Sequence, residues 1–220
     1  MSIVKTCNVK YSYDGNRTVL KNINTDFEVG KIYAILGPSG CGKTTLLSLL
    51  GGLDSPSDGQ VLFQGEDIEK KGLAYHRKNN VAFIFQSYNL IDYMTPAENV
   101  ALTSKLPPLP ILERLGLTKE EAKLNVLKLS GGQQQRVAIA RALASDASVI
   151  LADEPTGNLD EDTAVEITNI LKECAHKMNK CVIIVTHSNE LAKQADVILK
   201  LQKGELQISD TPDSNTGKAK

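Results

Sequence analysis

At 220 residues the chain has length enough for one substantial core with a small appended subdomain, and too little for two independent domains. Its 25 basic and 26 acidic residues nearly cancel, so no global field steers it toward nucleic acid or an anionic bilayer. The longest apolar runs, Val81-Ala82-Phe83-Ile84-Phe85 and Val182-Ile183-Ile184-Val185, are far too short to span a bilayer, and the N-terminus lacks a signal peptide's apolar stretch, which predicts a cytoplasmic protein.

Residues Ile3 to Glu28 partly alternate and carry β-branched and aromatic side chains around a Tyr13-Asp14-Gly15-Asn16 turn signal, which predicts antiparallel strands. Ile32 to Leu36 is a continuous apolar run that ends at a Gly-rich loop, and Thr44 to Leu50 then has helical composition until Gly51-Gly52 stops it. Val81–Phe85, Val149–Ala152 and Val182–Val185 have the character of buried parallel strands. A mostly helical stretch from about Pro96 to Ala144 separates the first two, interrupted at Pro107-Pro108-Leu109-Pro110, where prolines are expected to end helices. The segment 207–220 lacks large apolar anchors beyond Ile208 and is expected to be a solvated, disordered tail. Cys7, Cys41, Cys174 and Cys181 have neither paired spacing nor flanking histidines suited to zinc, so reduced thiols are expected rather than a metal site.

The Gly-rich loop reads Gly37-Pro38-Ser39-Gly40-Cys41-Gly42-Lys43-Thr44-Thr45, a complete Gly-x-x-x-x-Gly-Lys-Thr pattern. A strand feeding such a loop and a helix lets backbone N–H groups converge on phosphate, with the helix dipole adding partial positive charge. Lys43 is placed to contact β- and γ-phosphates, and the Thr44 hydroxyl to join a Mg²⁺ shell. Val149 to Ala152 delivers Asp153-Glu154 to the carboxyl edge of the predicted sheet. There Asp153 would hold Mg²⁺ through water, and Glu154 would polarise an attacking water. Alone, an Asp-Glu pair after a strand is an ordinary solvated turn; followed by Pro155-Thr156-Gly157-Asn158-Leu159-Asp160 it is a specific signal.

With Gln86 after a strand, Leu129-Ser130-Gly131-Gly132-Gln133 and Thr186-His187, in this order, the chain resembles the nucleotide-binding subunit of ATP-binding cassette (ABC) transporters from about Ile3 to Leu206. Gly51-Gly52-Leu53-Asp54 and the run Asp153 to Asp160 look most like the lipoprotein-release, macrolide-efflux, antimicrobial-peptide-resistance and cell-division ATPases of that family. The resemblance implies an α/β phosphate-loop NTPase core with an N-terminal antiparallel β subdomain and a helical subdomain at about 87–145. It implies ATP and Mg²⁺ as ligands, with Tyr13 stacking on adenine, although Tyr11 on the same strand competes for that role. Gln86 matches the glutamine that senses Mg²⁺ and the membrane partner, His187 the histidine that contacts the γ-phosphate, and Asp160 the acid that communicates across the dimer. Ser130 to Gln133 also fits a Ser-x-x-Gln capping box, and the two readings are compatible. His76 and His176 are read as structural or merely exposed.

The function implied is ATP hydrolysis in a homodimer formed on ATP binding, driving a separate membrane permease in export or peptide resistance, with the chain peripheral to the cytoplasmic membrane. The alternative is a non-transport regulator of cell-wall hydrolysis acting through a membrane partner. A nucleic-acid or ribosome ATPase of this family usually has two cassettes or a long coiled-coil insertion, so no nucleic-acid partner is expected. The region from Gln86 to Ser130 is shorter than the resemblance leads one to expect.

Overall fold

The computed structural model describes residues 2–13, 17–104 and 106–209. Strands β1 (Ser2–Ser12) and β2 (Thr18–Glu28) pair antiparallel, as their alternation predicts; Asp14, Gly15 and Asn16 of the expected turn lie outside the described residues. β3 (Ile32–Leu36) runs into the Gly-rich loop and helix α1 (Lys43–Leu50). β4 (Asp58–Phe63) and β5 (Glu66–Asp67), not foreseen in the sequence, complete a four-stranded sheet of order β2-β1-β4-β5.

After α2 (Leu73–Asn79) and β6 (Val81–Ile84), the chain leaves the sheet through α3 (Pro96–Ala101) and α4 (Pro108–Arg114). Two 3₁₀ turns, Glu121–Lys123 and Val126–Lys128, precede α5 (Gly131–Leu143). The expectation that Pro107 to Pro110 ends a helix is corrected: these residues begin one. Pro107 is the N-cap of α4, and Pro108 and Pro110 occupy its first turn, where backbone N–H groups have no intrahelical partner to lose.

β7 (Val149–Asp153), α6 (Glu161–His176), β8 (Cys181–Thr186), α7 (Asn189–Ala192), β9 (Val197–Gln202) and β10 (Glu205–Ser209) finish the chain. The second sheet has order β10-β9-β3-β8-β7-β6 and is parallel except for β10. The tail boundary moves accordingly. Gln207, Ile208 and Ser209 pair with Lys200, Leu199 and Ile198 in β10, because an adjacent strand offers their backbone a partner that composition alone does not reveal. Residues 210–220 lie outside the described residues.

Successive side chains of a strand point to opposite faces, so each central strand serves two cores. Ile32, Ala34, Ile150, Ala152, Val182 and Ile184 face α5 and α6, whereas Tyr33, Ile35, Val149, Leu151, Ile183 and Val185 face α1 and the antiparallel sheet. Burial on both faces explains why these strands read as unbroken apolar runs. Because β3, β6, β7 and β8 are parallel, their carboxyl ends share one edge, with Leu36 opposite Thr186, Asp153 opposite Val185 and Ile84 opposite Ala152. That edge brings together segments remote in sequence.

Candidate functional site

The Gly-rich loop passes close to β9 and β2 before entering α1. A Cβ on Gly37 would lie 2.4 Å from the Leu201 carbonyl oxygen, and Gly42, at φ 104°, would press a Cβ to 2.9 Å from Val19. Both positions therefore require glycine. Gly42 is the N-cap of α1 and supplies no side-chain cap, which leaves the first-turn N–H groups available to an anion. Lys43, only 9 % exposed, donates from Nζ to the carbonyls of Gly37 and Pro38 at 2.8 and 3.1 Å.

A cavity of about 420 Å³ opens over this loop, lined by Tyr13, Arg17, Val19, Ser39, Gly40, Gly42, Lys43, Thr44, Thr45, Gln86, Asp153 and Glu154. Gly37, Pro38 and Cys41 belong to the loop without lining the cavity; Cys41 packs against the core facing the antiparallel sheet. Tyr11 of β1 and Tyr13 just beyond that strand separate cleanly. Tyr13 borders the cavity with its hydroxyl 2.8 Å from Thr45 Oγ1. Tyr11 is buried, donates to Asp54, and meets Tyr13 edge-on at 5.0 Å. That hydrogen bond and burial push its phenol up to about 12.

Thr44 hydrogen-bonds Asp153, whose carboxyl is raised above the usual range chiefly by burial and also by the Glu154 charge, while Thr44 and Lys43 oppose the shift. A hydroxyl, a half-buried carboxylate and the Gln86 amide thus face one cavity, a set of hard oxygen donors suited to a cation such as Mg²⁺. Such an ion would relieve the cost of keeping Asp153 ionised.

Glu154 occupies the left-handed region at φ 46°, with its N–H donating to the Val185 carbonyl at 3.0 Å. This conformation is costly for a non-glycine residue and turns the side chain back over the sheet edge. Its Oε2 accepts from Thr186 Oγ1 at 3.0 Å, and His187 Nδ1 lies 2.9 Å from Oε1. Glu154 also lines a second cavity of about 510 Å³ that includes His187, Thr156, Gly157 and Leu159. It therefore stands between the two spaces.

The sequence model for "ABC transporter" matches residues 20–157. An ABC transporter ATP-binding protein of Bacillus subtilis strain 168, YclH, is 42 % identical over 221 residues, covering 96 % of this chain and 98 % of that protein. The chain belongs to the ABC transporter family. The macrolide export ATP-binding/permease protein MacB of Brucella melitensis biotype 1 is 40 % identical over 219 residues, 93 % of this chain but 33 % of that longer protein. Among solved structures, the dimeric cassette MJ0796 superimposes with a TM-score of 0.87 at 35 % identity, covering 96 % of this chain and all of that one. The same cassette is known as a post-hydrolysis dimer bound to ADP and Pi, with a TM-score of 0.85 at 35 % identity and the same coverage. The chain is an ABC ATPase with the mixed α/β architecture that its sequence implied.

In this ABC ATPase the remaining predicted residues stand apart from the first cavity. Ser130 accepts from the Gln133 N–H at 3.3 Å, and Gln133 Oε1 accepts from the Ser130 N–H at 2.9 Å, a reciprocal capping box that opens α5 beside Gly131 and Gly132. Asp160 caps α6 by accepting from the Thr163 N–H at 3.0 Å. Neither group lines the loop cavity of its own chain. His76 is structural, buried with Nε2 donating to the Leu50 carbonyl at 3.1 Å, and His176 pairs with Asp196. Arg17 and Val19 also line the cavity, although no sequence motif marks them. Arg17 immediately precedes β2 and Val19 lies within it.

Proposed function

We propose that ATP occupies the loop cavity, with its phosphates on the first turn of α1 and Lys43, its base against Tyr13, and Mg²⁺ held by Thr44, Asp153 and Gln86. The ion, when bound, would neutralise phosphate charge. Glu154 acts as general base, its carboxylate oriented by Thr186 and His187. Ser130, Gly131, Gly132 and Gln133 present a capped helix N-terminus, which serves the γ-phosphate held by the partner subunit; Asp160 contributes to communication between the two sites. Two copies thus close head-to-tail on ATP and reopen after hydrolysis.

This cycle drives a separate membrane permease through the segment between β6 and β7. No helix among the described residues is long and apolar enough to cross a membrane. Relatives that join an ATP-binding part to a permease part include proteins named for macrolide export and for pyoverdine export, and they favour export over the regulatory alternative. The observation that carries the reading is the position of Glu154 at the border of the Lys43 cavity, held by two hydrogen-bonding neighbours.

Steady-state hydrolysis and equilibrium ATP binding by Glu154→Gln test it. Turnover is expected to fall by roughly 10²- to 10⁴-fold, with affinity kept. Hydrolysis at the wild-type rate would remove Glu154 from the mechanism.

A further inference from the structure

We infer that Gln135 is a positioning residue for hydrolysis, tying helix α5, which Ser130 opens, to the turn that carries Glu154. Its side chain is 1 % exposed, and Nε2 donates to the Pro155 carbonyl at 2.8 Å. A carbonyl only accepts, so the amide nitrogen must face it. The amide oxygen is then left buried without a partner among the described residues. Folding gains little from such an arrangement, since an unpaired buried acceptor offsets the bond made by the other end. The neighbouring buried positions on α5, Val137, Ala138 and Ile139, are apolar.

What Gln135 does hold is the backbone next to Glu154. The Glu154 N–H is fixed to β8 through Val185, the Glu154 carbonyl accepts from Gly157 at 3.1 Å, and the carbonyl one residue on is fixed to α5 by Gln135. The left-handed conformation at Glu154 is thus clamped from the sheet, from its own turn and from α5. Two of these clamps are internal to the site, and the third comes from the helix whose N-terminus serves the partner's ATP. A displacement of α5 on nucleotide binding in one site is consequently felt by the carboxylate of the other. The inference rests on the proposed dimer and on Glu154 as base.

Hydrolysis by the full chain as a function of ATP concentration and pH, for Gln135→Leu, Gln135→Glu and Glu154→Gln, tests it. In Gln135→Leu, kcat is expected to fall about tenfold or more, as for a misplaced catalytic group. KM should remain nearly constant, and the Hill coefficient for ATP should move toward one. In Gln135→Glu a neutral carboxyl can donate to Pro155 and an ionised one cannot. Its kcat relative to wild type should therefore recover as pH falls, whereas Gln135→Leu stays low throughout.

Wild-type kcat and Hill coefficient in Gln135→Leu would overturn the inference. So would a Gln135→Glu deficit that does not change with pH, because a packing role alone gives no protonation-dependent rescue. If Gln135→Leu does not fold, the Gln135→Glu profile decides alone. Wild-type turnover in Glu154→Gln would instead strike the general-base assignment, and loss there beside an unaffected Gln135→Leu would remove the role of Gln135 only.

Discussion

Lys43 is nearly buried, yet its ammonium donates to two neutral carbonyls, which leave its charge available to a phosphate. Hydrogen bonds to charged groups are worth roughly 1.5–3 kcal/mol, so Lys43→Ala should weaken ATP binding about tenfold or more. Equilibrium titration with ATP checks this, and unchanged affinity would contradict the role. The tyrosine pair gives a sharper test, because Tyr13 borders the cavity and Tyr11 supports it from behind. Base–aromatic stacking is worth about 1–3 kcal/mol, the loss expected in ATP affinity for Tyr13→Ala. Tyr11→Phe keeps the ring and loses only its bond to Asp54, so it should cost folding stability while leaving ATP affinity nearly intact. Equal affinity losses in the two variants would contradict the assignment of stacking to Tyr13 alone. The motif residues were legible because local backbone geometry demands them at fixed spacing, as with Gly37 and Gly42. Arg17 and Val19 reach the cavity only through the packing of the antiparallel sheet on α1, which no local pattern encodes.

Helix α1 is held at both ends. Its N-terminus faces the cavity, and its end is gripped from α2, with the last helical carbonyl, Leu50, held by His76 and that of Gly52 just beyond by Arg77. Asn80 donates to His76 Nδ1 at 3.1 Å, which fixes the neutral ring with its proton on Nε2. Burial, aided by the Arg77 charge, lowers the His76 pKa below its ordinary 6.5. Between the folded and unfolded pKa values the unfolded chain binds more protons, so the stabilisation is complete above about pH 6.5 and is lost as pH falls through the folded value. Thermal midpoints measured from neutral to mildly acid pH should fall, and fall less in His76→Phe; identical slopes would count against this account. The cap of α5 is a second element-scale device. Ser130→Ala removes a reciprocal capping box and should cost about 1 kcal/mol, read from urea unfolding. The sequence showed this cap because Ser and Gln stand at the required spacing. It misled at Pro107 to Pro110, because proline marks a helix boundary without saying which side the helix lies on.

At the scale of the molecule, the parallel sheet delivers Lys43, Gln86, Glu154 and His187 to one edge, while Ser130 and Asp160 begin helices outside the loop cavity. Strand type and the carboxyl-edge placement followed from apolar runs ending at polar motifs. Strands β4, β5, β9 and β10 did not, because they are short, mixed in polarity or placed at sheet edges where one side stays wet. On the proposed reading a site divided in this way is completed by a second copy, and removing Glu154, the proposed general base, should trap that state. The mass in solution of Glu154→Gln, with and without Mg-ATP, tests this most directly. A monomer without nucleotide and a dimer with it are expected; a species that stays monomeric at saturating Mg-ATP would contradict the shared site.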